Sequence, residues 1–189
     1  MKQFLSRYGL TLVFQILLIM FLVQVVNEFT GGVLRVFGIY PREVFSLPFI
    51  FTTPFLHGSW LHLANNSVGL LIFSSLCLVR GKRFYTRASL LIIIVGGLLV
   101  WLLGRPAIHI GASGWIFGLW SLTITLALFE KSVMNFIISC LVILLYGGMI
   151  MGVLPNQPGV SFEGHAFGAL AGVLAAATLG RRNRKWRWR

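Results

Sequence analysis

Aspartate is absent from this 189-residue chain, and glutamate occurs only as Glu28, Glu43, Glu130 and Glu163. Charged residues make up 11% of the sequence, against roughly 25% in soluble domains, which excludes an ordinary water-soluble fold. No HExxH pattern occurs, and no acidic or cysteine ligand stands at metal-binding spacing from His57 and His62, so neither a metal nor another cofactor is expected. The two cysteines, Cys77 and Cys140, fall in apolar runs and imply packing, not a disulfide framework. After the first apolar run, Val25-Val26-Asn27-Glu28-Phe29 offers no small-x-small cleavage site, so that run is expected to stay as a helix. Internal repeats are missing too.

Apolar length is what the chain has in abundance. Hydrophobic residues make up 57% of it, and a hydrocarbon core about 30 Å thick takes roughly 20 of them per helix. Six runs qualify: Gly9–Val26, Leu61–Val79, Ala88–Gly104, Ile110–Phe129, Val133–Val153 and Ala166–Leu179, the third and sixth being short. Backbone amides in lipid must be satisfied within their own segment, so helices are the expected spanning form. The predicted fold class is an all-α bundle of six membrane helices. One transmembrane domain covers residues 1–180, and a basic tail follows over residues 181–189.

The net charge of +12 is unevenly placed. With the N-terminus inside, cytoplasmic segments hold 13 of the 16 basic residues, leaving Arg35, Arg42 and Arg105 outside. That bias predicts cytoplasmic N- and C-termini in a cell membrane, such as a bacterial inner membrane. The tail from Arg181 to Arg189, with Trp186 and Trp188, reads as an anchor for anionic lipid and not as a nucleic-acid patch. Asn27 to Phe55 forms a long external connection rich in Phe, Val, Leu and Ile, expected to lie partly in the lipid interface.

Against this background, a few polar groups stand out. Gly111-Ala112-Ser113-Gly114 opens the fourth run, and Gly164-His165-Ala166-Phe167-Gly168 opens the sixth. Polar groups are costly in lipid, so a hydroxyl and an imidazole at the same membrane face suggest a nucleophile and its base. The pairs Gly114/Gly118 and Gly168/Gly172 have the small-residue spacing that lets helices approach closely. In the second run His62 and Asn66 are four apart and share a face. Both carry donors suited to an oxyanion hole. His57 is off that face and reads as structural. Glu163 reads as a solvated loop carboxylate, although it stands close enough in sequence to orient His165. His109 is expected to face water and is assigned no chemistry.

Together, His57-x4-His62-x3-Asn66, Gly111-Ala112-Ser113-Gly114 with Phe117 and Gly118, and Gly164-His165-Ala166-Phe167-Gly168 with Gly172 resemble the rhomboid intramembrane serine proteases in their minimal six-helix form. The resemblance runs from about Phe51 to Leu179. It implies that Ser113 is the nucleophile and His165 the general base, a dyad without an acid. It further implies an oxyanion hole of the Ser113 backbone N–H with His62 and Asn66. Gly111 and Gly114 would shape the turn, Gly168 would allow helix contact, Phe117 would pack on the base and His57 would support the first loop. The Trp-Arg pair that many members carry in that loop is absent before Thr52. The implied partners are transmembrane substrates, cleaved near the outer leaflet. The competing function is a non-catalytic binder of client helices, separable by whether a fluorophosphonate labels Ser113. A transporter would spread its polar groups through the membrane depth, whereas these gather at one end.

Overall fold

A computed structural model describes residues 9–155 and 159–180. The basic tail and the first eight residues, with Lys2 and Arg7, lie outside the described residues. Six helices long and apolar enough to cross a membrane are present, and no β-strand occurs among the described residues. The helices are α1 (Leu10–Phe29), α2 (Trp60–Leu78), α3 (Lys82–Leu103), α4 (Ser113–Glu130), α5 (Val133–Tyr146) and α6 (Phe162–Leu179). A 3-10 stretch, Gly147–Val153, prolongs α5. The third run is not short: α3 begins at Lys82, because Lys82, Arg83 and Arg87 form helical turns that hydropathy alone leaves out. The sixth likewise starts earlier, at Phe162, where Ser161 caps it.

Burial explains the arrangement. In α1 the enclosed residues are Val13, Met20, Gln24 and Asn27, a single stripe. Phe14, Leu18, Phe21 and Leu22 point outward, as a lipid-facing helix requires. In α2 the enclosed stripe runs through Leu63, Asn66, Leu70, Phe73 and Cys77. By contrast, α4 is enclosed almost continuously from Trp115 to Thr123, so it is the central helix. Cys77 is buried and Cys140 exposed, and both are free thiols.

The tightest packing lies between α4 and α6. A Cβ added at Gly168 would overlap the Gly114 carbonyl, and one at Gly172 would overlap the Gly118 carbonyl. The two helices run parallel, since both contacts advance together along the chain. Ser121 Oγ crosses the seam and donates to the Ala169 carbonyl at 2.6 Å. On the other side α3 joins through Gly96, whose added Cβ would come within 3.4 Å of Gly168 Cα. Without side chains at these points backbones meet directly, and that is how helices associate in lipid.

The first connection is ordered. It folds into 3-10 turns over Val33–Phe37, Val44–Ile50 and Thr53–Phe55. Arg42 N–H donates to the Trp101 carbonyl at 2.8 Å and Trp101 Nε1 donates to the Glu43 carbonyl at 2.9 Å, so the loop is fastened to the end of α3. Ile39 and His109 exchange backbone hydrogen bonds. Outward it presents Phe29, Val33, Val36, Val44, Phe45 and Phe51, an apolar surface suited to the lipid interface.

Candidate active site

Ser113 is the first residue of α4, and Gly111 makes the turn that brings the chain there. Gly111 has φ 115°, a value side chains rarely tolerate, and an added Cβ would lie 2.8 Å from His62 Nε2. The same imaginary atom would lie 3.5 Å from Asn66 Nδ2. His62 and Asn66 thus face the backbone just ahead of the serine. The first N–H groups of a helix have no intrahelical acceptor, so the Ser113 amide is available beside them.

Hydrogen bonds fix the protonation pattern. The Gly58 N–H donates to His62 Nδ1 at 3.4 Å. A neutral imidazole that accepts at Nδ1 carries its proton on Nε2, so His62 presents a donor toward Gly111. Asn66 Nδ2 is buried and has no partner among the described residues. It is a donor left unspent. Ser59 sets the start of α2 by accepting from the His62 N–H at 3.1 Å, which places His62 in the first turn.

His165 shows the opposite tautomer. Its Nδ1 lies 2.8 Å from the Gly152 carbonyl, and a carbonyl only accepts, so Nδ1 carries the proton and Nε2 a free lone pair. Phe117 lies parallel to the ring, with centroids 4.2 Å apart and 6° between planes. Face and edge are therefore both held. The lack of a side chain at Gly152 matters: an added Cβ would come 2.8 Å from Phe117 Cζ and 3.2 Å from His165 Nδ1.

Ser113, His165, His62 and Asn66 border one cavity of about 760 Å³. Its other walls are mostly apolar, with Val68, Ile72 and Phe73 on α2 and Tyr146 and Met149 at the end of α5, and Ser59, Asn65 and Ser161 add polar groups. Ser113 Oγ and the His165 ring are not hydrogen-bonded to each other, and catalytic hydrogen bonds commonly tighten only when substrate arrives. A second cavity of about 50 Å³ lies behind Ser113, lined in part by Thr53, His109 and Ser161. That is room for water beside polar partners.

Three expectations change or gain detail. His109 does not face water: it is 4% exposed, with Nδ1 2.6 Å from Ser161 Oγ. Burial lowers its pKa, more than the nearby Arg105 carbonyl and Glu163 raise it. Glu163 is not a solvated loop carboxylate either. It is buried in the first turn of α6, with Oε1 3.4 Å from Arg105 Nε. A one-dimensional reading misses this because Arg105 and Glu163 are 58 residues apart. His57 is buried beside α1, where the Asn27 amide donates to its carbonyl at 3.4 Å. Burial, and secondarily the charge of a protonated His62, pushes the His57 pKa down to about 4.

The model of the Rhomboid domain matches residues 42–182, and this chain belongs to the rhomboid family. Rhomboids are in general intramembrane serine proteases, and the six apolar helices make this a multi-pass membrane protein in a lipid bilayer. Among its relatives are uncharacterized proteins of Mycobacterium tuberculosis and Mycobacterium bovis, each 35% identical over 188 residues, covering 95% of this chain and 78% of the relative. An uncharacterized protein of Mycobacterium leprae is 34% identical over 178 residues, covering 89% of this chain and 70% of that protein.

Proposed function

We propose that this chain is an intramembrane serine endopeptidase that cleaves transmembrane segments near the outer leaflet through Ser113 and His165. The observation that carries the reading is the held His165 ring: Nδ1 bound to the Gly152 carbonyl, Phe117 on its face, and a basic Nε2 left for the cavity that Ser113 shares. An imidazole kept only for packing has no need of a fixed tautomer.

In this mechanism a substrate helix unwinds locally and presents a carbonyl to Ser113. His165 Nε2 takes the hydroxyl proton as Oγ attacks the carbonyl carbon. The oxyanion accepts from the Ser113 N–H, His62 Nε2 and Asn66 Nδ2; removing one such donor typically costs about 2.7–4 kcal/mol of transition-state stabilisation. His165 returns its proton to the leaving amine. Water then attacks the acyl-enzyme, giving a proton to His165, which passes it back to Ser113. Neither a metal nor ATP enters.

The orientation follows from the basic residues: both termini in the cytoplasm, the dyad toward the outer leaflet, and the tail on anionic lipid of a cell membrane. Substrate entry is assigned to the gap between α2 and α5, which meet across the cavity and make little other contact. Native protein in liposomes is expected to cleave a model transmembrane substrate, and Ser113→Ala and His165→Ala proteins are expected to be folded and inert. Cleavage by purified Ser113→Ala protein would overturn the reading.

A further inference from the structure

Two loops lead into the helices that carry Ser113 and His165, and a single side-chain pair joins them. His109 stands four residues before Ser113, and Ser161 four before His165. His109 Nε2 lies 3.1 Å from the Arg105 carbonyl. A carbonyl cannot donate, so Nε2 holds the proton and Nδ1 accepts. The Ser161 hydroxyl, 2.6 Å from Nδ1, is therefore the donor. Its lone pairs remain for the Gly164 N–H at 3.1 Å, the bond that caps α6. The Ser161 carbonyl accepts the His165 N–H at 3.2 Å. One serine thus grips the backbone of the base-bearing turn and, through its hydroxyl proton, the ring of His109.

The other end of the tie is also anchored. The His109 N–H donates to the Ile39 carbonyl at 2.8 Å and the His109 carbonyl accepts from the Ile39 N–H at 3.0 Å. Arg105 and Glu163 link the same two segments, and the Arg105 guanidinium donates to the Val160 carbonyl.

Such a tie has work that the glycine seam leaves undone. The seam repeats every four residues, Gly114 on Gly168 and Gly118 on Gly172. A slide of one helical turn, about 5.4 Å, would set glycine against glycine again. Small residues fix how closely α4 and α6 approach; they do not by themselves select the register. We propose that His109 is a positioning residue which, with Ser161, sets the register of α6 against α4 and so the alignment of His165 with Ser113. This inference rests on the protease reading above.

The test compares native protein with His109→Phe, His109→Asn, Ser161→Ala and Ser161→Thr in the same liposomes. Turnover is expressed per active site, counted by fluorophosphonate labelling of Ser113. Phenylalanine keeps ring bulk without an acceptor, whereas asparagine offers Oδ1 near the place of Nδ1. His109→Phe and Ser161→Ala are each expected to lower kcat per labelled site about tenfold or more, with KM within about twofold. His109→Asn and Ser161→Thr are expected to stay within about threefold of native, and the double variant His109→Phe/Ser161→Ala to be little worse than either single one. A purely structural role would lower the number of labelled sites and the unfolding temperature while leaving kcat per labelled site unchanged, and that result overturns the inference. Losses that multiply in the double variant also overturn it. If His109→Phe fails to fold, the serine pair decides: a loss in Ser161→Ala restored in Ser161→Thr supports the tie, and equal turnover refutes it. Native protein that neither labels nor cleaves removes the protease reading, and this inference with it; native activity with unaffected variants removes this inference alone.

Discussion

The α4–α6 seam and α5 are both built from apolar residues, yet the protein holds them very differently. More than half of the α4 span is enclosed by the rest of the protein, against a small fraction of α5 and none of its 3-10 extension. On α5 only Asn135, Ser139 and Val142 are buried, while Val133, Phe136, Leu144 and Leu145 face outward. The seam carries Ser113 and His165, the proposed nucleophile and base; α5 supplies a wall of the cavity beside them. Proton transfer needs fixed geometry, whereas admitting a substrate helix needs a wall with little to lose. The difference in burial matches that division of labour.

Enlarging a residue on each side breaks or sharpens the contrast. Gly168→Val drives a side chain into the Gly114 carbonyl, and turnover is expected to fall about a hundredfold or more, because a displacement near 1 Å can cost that much. Gly148→Val, in the extension of α5, meets nothing within 4 Å and is expected to leave turnover within about twofold, since surface changes away from special features have little effect. Comparable losses in both would erase the distinction.

A somewhat smaller effect is expected at the proposed oxyanion donors. His62→Ala and Asn66→Ala should each lower kcat by about 10²–10³, with much less change in KM. Unaltered turnover in both variants would show that the donors facing Gly111 serve packing only. At Gly152 the lightly held side touches His165 of the proposed dyad. Gly152→Ala would press on Phe117 and His165, and a fall in kcat of roughly tenfold is expected from the misaligned imidazole; native kcat would mean that the space left at Gly152 does not set the ring's position.

The smallest effect concerns pH and stability. The His57 pKa is lowered in the folded protein from 6.5 to about 4, so the unfolded chain takes up the proton first as pH falls. Its stabilising contribution is complete above about pH 6.5 and declines toward pH 4. Unfolding temperature in detergent is expected to drop across that window, and His57→Asn to flatten the dependence. A profile unchanged by that substitution would remove His57 as the cause. His109, lowered in the same direction, adds a decline of the same sign.

Much of the fold was legible in the sequence because lipid imposes simple demands: apolar length gave the six spans, and glycine spacing marked the seam. Hydropathy misplaced the starts of α3 and α6, since Lys82 and Glu163 are helical although charged. The candidate site residues stood out by their spacing, and Ser113, His62, Asn66 and His165 do line one cavity. What joins them did not stand out. His165 is oriented by a backbone carbonyl at Gly152, and a carbonyl leaves no mark in a sequence. His109 and Glu163 looked like solvent-facing loop residues because their partners, Ser161 and Arg105, lie more than fifty positions away. Long-range pairing of this kind is visible only once the helices are assembled.

The most direct test of the central claim is the rate at which a fluorophosphonate labels Ser113, mapped by mass spectrometry in native and His165→Ala proteins. The predicted result is label on Ser113 in native protein and a rate lowered by orders of magnitude without His165. An unlabelled Ser113, or equal labelling with and without the imidazole, would contradict a working dyad.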